Sequence, residues 1–279
     1  MSEVNAATAA QSPALSWRQK VLFGQVAVFV IWMAVWQILA GLELIDPFIS
    51  ASPWSVVVRL ADWFVNGTAL GSFWYQVLVT LGEAAGGFVL GVIAGVFLGI
   101  LLGQIDYLAD VLNPYIKFFN AVPRIVLGSI FVMWLGLGLP AKAFLAAVLV
   151  FFVVFFNAFQ GARSVDPNLV ANIRILGGSR MDVVRNVVLP SALTWIIASL
   201  HVALGLAIVG AIVGEILGAQ HGLGLLIKFS QNNFDSPGVY GCMFVIGAIV
   251  LSVEAVMARV EKRLLKWQKP KSSTSAQDA

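Results

Sequence analysis

The chain has 279 residues, of which 59% are hydrophobic and only 11% are charged, and its formal net charge is +3. A soluble domain carries about 25% charged residues, so the composition excludes an ordinary soluble domain and predicts an integral membrane protein. The single cysteine, Cys242, excludes an internal disulfide and a multi-cysteine metal site.

The N-terminal part of the chain is small and polar before it becomes apolar. Residues 1–20 are predicted to form a disordered cytoplasmic tail that begins "MSEVNAATAAQSPALS". Residues 21–74 are predicted to contain the first transmembrane helix and then an amphipathic segment. That segment, residues 53–66, reads "PWSVVVRLADWFVN" and is expected on the periplasmic membrane surface, because Arg59 and Asp62 interrupt its apolar residues.

Six apolar runs predict an all-α membrane protein with about six transmembrane helices, since a helix needs roughly 20 residues to cross a bilayer. The runs are residues 21–42, 77–103, 123–137, 140–162, 191–218 and 238–260. Threading six spans puts 14 of the 17 lysines and arginines on one side, together with both termini and a basic tail at residues 263–279. The positive-inside rule makes that side cytoplasmic. Arg59, Lys142 and Lys228 fall on the other side.

Glycine recurs every fourth residue in the second run. The positions are Gly87, Gly91, Gly95, Gly99 and Gly103. Helices in lipid associate through close backbone contact, so this face is predicted to pack against another helix, with a pore lining as the alternative. Gly210, Gly214 and Gly218 repeat the pattern in the fifth run.

The loop 163–190 is too structured to be a simple connector. Asp166 and Pro167 predict a helix start and Gly177 a left-handed cap after Leu176. Ser179 begins a short capping box, S-x-x-D. The second helix is expected to run to about Val188 and to stop before Pro190.

The expected second helix is amphipathic. Met181, Val184 and Val188 would share one face, with Arg180 and Arg185 on others. Two interpretations remain open, a helix on the membrane surface and a helix that docks into a groove on a cytoplasmic partner.

The same loop resembles the "EAA" loop of permease subunits in binding-protein-dependent ABC importers. In that pattern a glycine is followed by nine residues, an apolar residue, one further residue and then L-P, which Gly177, Val187 and Leu189-Pro190 match. The E-A-A positions read Ala171, Asn172 and Ile173 instead. Residues 133–152 and 189–227 resemble the nitrate, sulfonate, taurine and bicarbonate branch of these permeases, and the likeness covers about residues 75–262.

The resemblance implies a type I ABC importer permease in a bacterial inner membrane, with residues 75–262 as the transmembrane domain. It implies a homodimer that works with two cytoplasmic ABC ATPase subunits and a periplasmic or lipid-anchored substrate-binding protein, in contact with membrane lipid and without nucleic acid. The chain would not be an enzyme. It would bind no cofactor or metal, because ATP and Mg²⁺ would sit on the partner ATPase. The residues implied in ATPase coupling are Asp166, Ala171, Gly177, Gly178, Ser179, Arg180, Arg185, Leu189 and Pro190.

Polar residues inside apolar runs are candidates for the translocation pathway, because such residues are costly in a membrane. The candidates are Glu215, His201, Asn157, Gln160 and Arg124. A structural role is the favoured alternative for Glu215, as is a hydrogen bond with a neighbouring helix for His201. Glu83 and Glu254 are interpreted as carboxylates that reach the membrane interface.

Two other classes of function remain as alternatives. A secondary transporter would favour an internal repeat with paired broken helices, and an intramembrane enzyme would need a catalytic motif such as H-E-x-x-H or G-x-S-x-G. The sequence contains neither of those two motifs. The resemblance implies that the transported solute is a small anion such as a sulfonate, nitrate, bicarbonate or an organic acid.

Overall fold

The computed structural model describes residues 16–42 and 50–264, and these residues form a helical bundle. The helices are α1 (Trp17–Gly41), α2 (Pro53–Asn66), α3 (Phe73–Gly103), α4 (Asp106–Ala121), α5 (Arg124–Leu135), α6 (Leu139–Arg163), α7 (Pro167–Ile175), α8 (Arg180–Val183), α9 (Leu189–Leu217), α10 (Leu223–Asn232) and α11 (Ser236–Leu264). The all-α fold class is confirmed.

Five helical segments are long and apolar enough to cross a membrane among the described residues. They are Gln19–Gly41, Phe73–Gly103, Leu139–Arg163, Arg180–Leu217 and Ser236–Arg263. A sixth span exists only if α4 and α5, which meet at an angle of 91°, are counted together. The third predicted run, residues 123–137, is therefore too short to cross the membrane by itself, since α5 has 12 residues and Pro123 separates it from α4.

Helix ends differ from the predicted boundaries at both termini. The first helix begins at Trp17, inside the predicted tail, because Ser16 and Gln19 form a capping box that satisfies free backbone N–H groups. The rest of that tail, residues 1–15, lies outside the described residues, as do residues 265–279 of the predicted basic tail. The last helix continues to Leu264.

Helix α6 lies between α3 and α9 and forms the centre of the bundle. Its buried residues include Leu145, Val150, Val154 and Ala158. Packing against α3 follows the glycine pattern: a Cβ atom on Gly91 would lie 2.6 Å from the carbonyl oxygen of Ala147. Gly87, Gly95, Gly99 and Gly103 also face α6 at similarly short range.

Helix α9 contacts the opposite side of α6 in the same way. A Cβ atom on Gly210 would lie 2.6 Å from the Cα atom of Ala146, and one on Gly214 would lie 2.9 Å from Cγ of Lys142. The structure therefore brings three long helices together at backbone contact distance, which is how helices associate without a hydrophobic drive from lipid.

We expect Gly91→Ala and Gly82→Ala to change stability in opposite directions. A Cβ atom on Gly82 would have no neighbour within 4 Å, so alanine should stabilise α3 there by up to about 1 kcal/mol through its helix propensity. At Gly91 the new methyl group meets the backbone of α6, and overpacking should cost about 1–3 kcal/mol. Thermal unfolding in detergent measures both, and equal effects would contradict close α3–α6 packing.

Candidate functional site

The two ends of the bundle carry different structures, and helix α9 connects them. One end has the short helices α7 and α8, in the loop predicted to couple to an ATPase. The other end has α10, which follows α9 after a short connection, residues 218–222. Polar residues that the sequence singled out occur at both ends.

Helix α7 begins and ends with well-formed caps. The Asp166 side chain accepts a hydrogen bond from the backbone N–H of Asn168 (2.8 Å), and Pro167 is the first residue of the helix. At the other end Gly177 has a φ of +83°, and the N–H groups of Gly177 and Gly178 donate to the carbonyl groups of Arg174 and Ile173. This pair of bonds is a Schellman motif.

Gly178 is required for a second reason, because a Cβ atom there would collide with the side chain and the carbonyl oxygen of Ile173. Immediately afterwards Ser179 and Asp182 form a reciprocal capping box, in which the Ser179 N–H donates to Asp182 Oδ2 (2.8 Å). The angle between α7 and α8 is thus held by backbone and side-chain hydrogen bonds on both sides of the two glycines.

The sequence predicted that the second short helix stops before Pro190. In the structure it continues through that residue. Residues 180–183 continue through one π-helical turn, Val184–Val188, directly into α9, so that Arg180–Leu217 forms a continuous segment of 38 residues. Pro190 has no N–H and its ring crowds the carbonyl group four residues earlier. A wider π turn just before the proline accommodates that mismatch without ending the helix.

Exposure along this segment also differs from the predicted amphipathic pattern. Val188 is buried, but Met181 is 70% exposed. Buried contacts to the bundle come from Val183, Val187 and Val188 instead. Of the predicted stripe, only Val188 is buried, and Val183 and Val187 supply the other buried contacts.

The α7–α8 surface exposes apolar residues beside basic ones. Ile175 is 81% exposed and Leu176 is 86% exposed. Arg180 and Arg185 are also exposed, as is Ala171 in the first E-A-A position. Two adjacent exposed apolar residues outside the long apolar helices make this loop a candidate interaction surface. The sequence interpretation emphasised the arginines and missed Ile175 and Leu176, although both directly precede the glycines.

At the other end of the bundle Glu215 is fully buried and binds the N-terminus of α10. Its Oε2 atom accepts the N–H of Gly224 (2.6 Å), and its Oε1 atom accepts the hydroxyl of Thr80 (2.6 Å). Thr80 in turn accepts the N–H of Leu223 (2.9 Å), and the Gln76 side chain accepts the N–H of Gly222 (2.7 Å). Three N–H groups that a helix start leaves free are thus satisfied by side chains of α3 and α9.

Two glycines make this approach possible. A Cβ atom on Gly222, whose φ is +116°, would collide with the Glu215 carboxylate. A Cβ atom on Gly224 would lie 2.5 Å from the carbonyl oxygen of Ile212 and 2.8 Å from Cβ of Glu215. The sequence "GEILGAQHGLG" therefore connects α9 to α10 in a tight turn, in which Gly222 and Gly224 pack against the Glu215 side chain.

Two further charged residues lie beside Glu215. The sequence analysis had put one of them at the membrane interface and the other on the periplasmic side. Glu83 of α3 is 1% exposed and Lys142 of α6 is 2% exposed. Both interact electrostatically with Glu215. The Lys142 ammonium also donates to the carbonyl group of Leu137. Nothing in the sequence pairs these residues, because they lie on separate helices.

The other pathway candidates are dispersed. His201 contacts Glu261 of α11 (Nε2 to Oε2, 2.9 Å), which fits the structural alternative. The Asn157 side chain donates to the carbonyl group of Val153 in its own helix, and Gln160 is exposed. The side chain of Arg124 lies outside the described part of the chain. Glu254 is exposed.

Comparison with known proteins identifies the class to which this architecture belongs. Residues 87–266 match the family described as "Binding-protein-dependent transport system inner membrane component". The chain belongs to this family. It is thus a multi-pass inner-membrane permease of an ABC importer.

Individual proteins similar to this chain are also transport permeases. The putative aliphatic sulfonates transport permease SsuC of Bacillus subtilis is 27% identical, with 85% of this chain and 84% of that protein aligned. The riboflavin transport system permease RibX of Chloroflexus aurantiacus is 29% identical over 88% of this chain and 90% of that protein. The predicted family and its sulfonate-type branch are confirmed.

The fold also has a counterpart among solved structures. A chain of the MetNI methionine ABC transporter, in a structure titled as inward facing, aligns with a TM-score of 0.59 at 19% identity. The alignment covers 77% of this chain and 97% of that one. At this identity the likeness concerns the fold, which is that of an ABC importer permease.

We expect Thr80→Val to destabilise the protein and Thr80→Ser to leave it near wild type. Valine has nearly the same shape as threonine but removes the hydroxyl that Glu215 and the N–H of Leu223 both use. Leaving buried polar groups without a partner costs about 1–3 kcal/mol each. Thermal unfolding of the purified protein measures the difference, and equal stability of the two variants would contradict the role of Thr80 at the start of α10.

Proposed function

We propose that α7 and α8 couple this permease to a cytoplasmic ABC ATPase and that two copies of the chain form an alternating-access pathway for a small solute. The observation that carries the proposal is the α7–α8 surface, which is exposed, partly apolar, basic and held in shape by a Schellman motif and a capping box. These caps fix the shape in which the exposed residues are presented to a partner.

Ile175 and Leu176 supply the apolar part of the coupling contact. Each is more than 80% exposed on this chain, so a groove on the ATPase would remove both from water, a helix-in-groove mode of recognition. Arg180 and Arg185 are also exposed in this part of the chain and meet acidic or carbonyl groups of the partner. In this arrangement the apolar residues provide affinity and the arginines provide orientation.

Continuity of α8 with α9 provides the mechanical part of the mechanism. A segment of 38 residues is about 57 Å long at 1.5 Å per residue. A displacement of α8 by the ATPase therefore passes into α9 and reaches the Glu215 end of the bundle. The π turn before Pro190 is the point at which this helix can change its angle. ATP binding and hydrolysis stay on the partner subunits, and this chain contributes the pathway.

Topology in the proposal follows from the charges. The α7–α8 end carries Arg174, Arg180 and Arg185 and faces the cytoplasm with both chain termini. The α10 end then faces the periplasm, where a substrate-binding protein delivers the solute. We take the solute to be a small anion such as a sulfonate, nitrate, bicarbonate or an organic acid, since the sulfonate permease is among the relatives.

Replacing both arginines by glutamate, Arg180→Glu/Arg185→Glu, should leave the permease folded but weaken recruitment of the ATPase. Charge-assisted hydrogen bonds are worth about 1.5–3 kcal/mol each when well formed and less when exposed, so a loss of tenfold or more in affinity is expected. Co-purification of the ATPase and ATP-driven uptake in vesicles measure the effect together.

The matched control is Arg259→Glu/Lys262→Glu, which makes the same change of charge on exposed residues of α11. This control should recruit the ATPase almost normally. If the α8 variant also recruits the ATPase and transports at the wild-type level, the loop is a helix on the membrane surface and the coupling proposal is wrong.

Gly177→Val should uncouple ATP hydrolysis from uptake, whereas Gly177→Asn should be tolerated. At a φ of +83° a β-branched side chain is strained by about 1–2 kcal/mol or more, while asparagine adopts this conformation more readily. Valine therefore alters the angle between α7 and α8 without touching the bundle, because nothing lies within 4 Å of its Cβ position. The ratio of ATP hydrolysed to solute imported distinguishes the variants, and equal ratios would contradict a fixed angle.

A further inference from the structure

The buried carboxyl groups of Glu83 and Glu215 face one another in the membrane-spanning part of the bundle. The two side chains interact electrostatically, and both residues are at most 1% exposed. An ionised carboxylate can only accept hydrogen bonds. A hydrogen bond between two carboxyl groups therefore requires a proton on one of them.

Hydrogen bonding distinguishes the two groups. Both oxygens of Glu215 accept a bond from another donor, the Thr80 hydroxyl and the N–H of Gly224, each at 2.6 Å. These are the partners of an ionised carboxylate at the start of a helix, where negative charge is favoured. By contrast, Oε2 of Glu83 is buried and has no hydrogen-bond partner. An orphaned oxygen is costly on a buried carboxylate and much less so on a neutral acid.

Charge balance gives the same assignment. Lys142 is the cation that faces both carboxyl groups from α6, and its side chain is buried. From α11 the neighbouring titratable group is the buried thiol of Cys242, which also interacts with Glu215. From α10, Lys228 is exposed and donates to the carbonyl group of Ile216. With one ammonium and two carboxylates the cluster would carry a net charge of −1 in a buried position, and one added proton makes it neutral.

We propose that Glu83 is a proton-binding site of this permease: it carries a proton, which it donates to the Glu215 carboxylate in a hydrogen bond, and Lys142 balances the remaining charge. The proton lets Glu215 stay close to Glu83 while it binds the N-terminus of α10. The protonated cluster thus connects side chains of α3, α6 and α9 with the N-terminus of α10. The site goes beyond the proposed coupling function and does not depend on it.

Infrared spectroscopy of the full-length chain in lipid vesicles at neutral pH tests the proposal directly. A protonated carboxylic acid has a C=O stretching band that ionised carboxylates lack. We expect this band in the wild type, its displacement when the glutamate carboxyl groups are labelled with ¹³C, and its loss in Glu83→Gln. Because the amide of glutamine is a neutral donor, Glu83→Gln should also keep a melting temperature close to that of the wild type.

Glu261→Gln is the matched control, since Glu261 lies on α11 and pairs with His201 away from the cluster. This variant should retain the band. Absence of a ¹³C-sensitive acid band in the wild type would overturn the proposal even if Glu83→Gln failed to fold. A band that persists in Glu83→Gln would overturn the assignment to this pair. Neither measurement uses the ATPase, so a failure here is distinguishable from a failure of the coupling proposal.

Discussion

Close backbone contact on both sides of α6 is the constraint on which the rest of the bundle depends. Gly91 and its equivalents let α3 approach one side, while Gly210 and Gly214 let α9 approach the other. Since lipid offers apolar side chains as good an environment as protein does, a helix gains little from burying leucine against a neighbour. The helices are therefore held together by the dispersion and polar contacts that a short interhelical distance permits.

The same contacts determine where charges can meet. Gly87 lies against Ala143 and Ala146 of α6, and Gly214 lies against Lys142. Glu83 is four residues before Gly87 and Glu215 directly follows Gly214, so the close packing brings both carboxyl groups and the ammonium to one level of the bundle. A buried polar cluster in this position ties the helices together at the α10 end, where the α3–α6 glycine contacts begin.

Helix continuity connects the two ends of the bundle. Within the described residues, α8, the π turn and α9 form one segment that is exposed at Arg180 and fully buried at Glu215. Rigid elements that extend from one site to another are the physical means by which a movement at one end changes packing at the other. The exposed start of α8 and the buried Glu215 thus lie on one continuous helical segment.

Much of this protein is determined by local sequence. Apolar run length predicted most of the long helices, and the loop devices at Asp166, Gly177 and Ser179 act within a few residues, so their caps could be derived from spacing alone. Proline positions predicted the helix ends less well. Pro190 was expected to end a helix, but the helix continues past it because of a π turn and the tertiary contacts of Val187 and Val188. Pro123 instead separates two helices that meet at 91°, so a predicted span became a bent pair.

Only the tertiary structure could decide that Glu83, Lys142 and Glu215 form one cluster, because they belong to three helices and no periodicity within one helix encodes its neighbours. The short helix α10 was not predicted for a related reason, since the groups that satisfy its first N–H groups come from Gln76 and Thr80, which precede their partners by 146 and 143 residues in the chain.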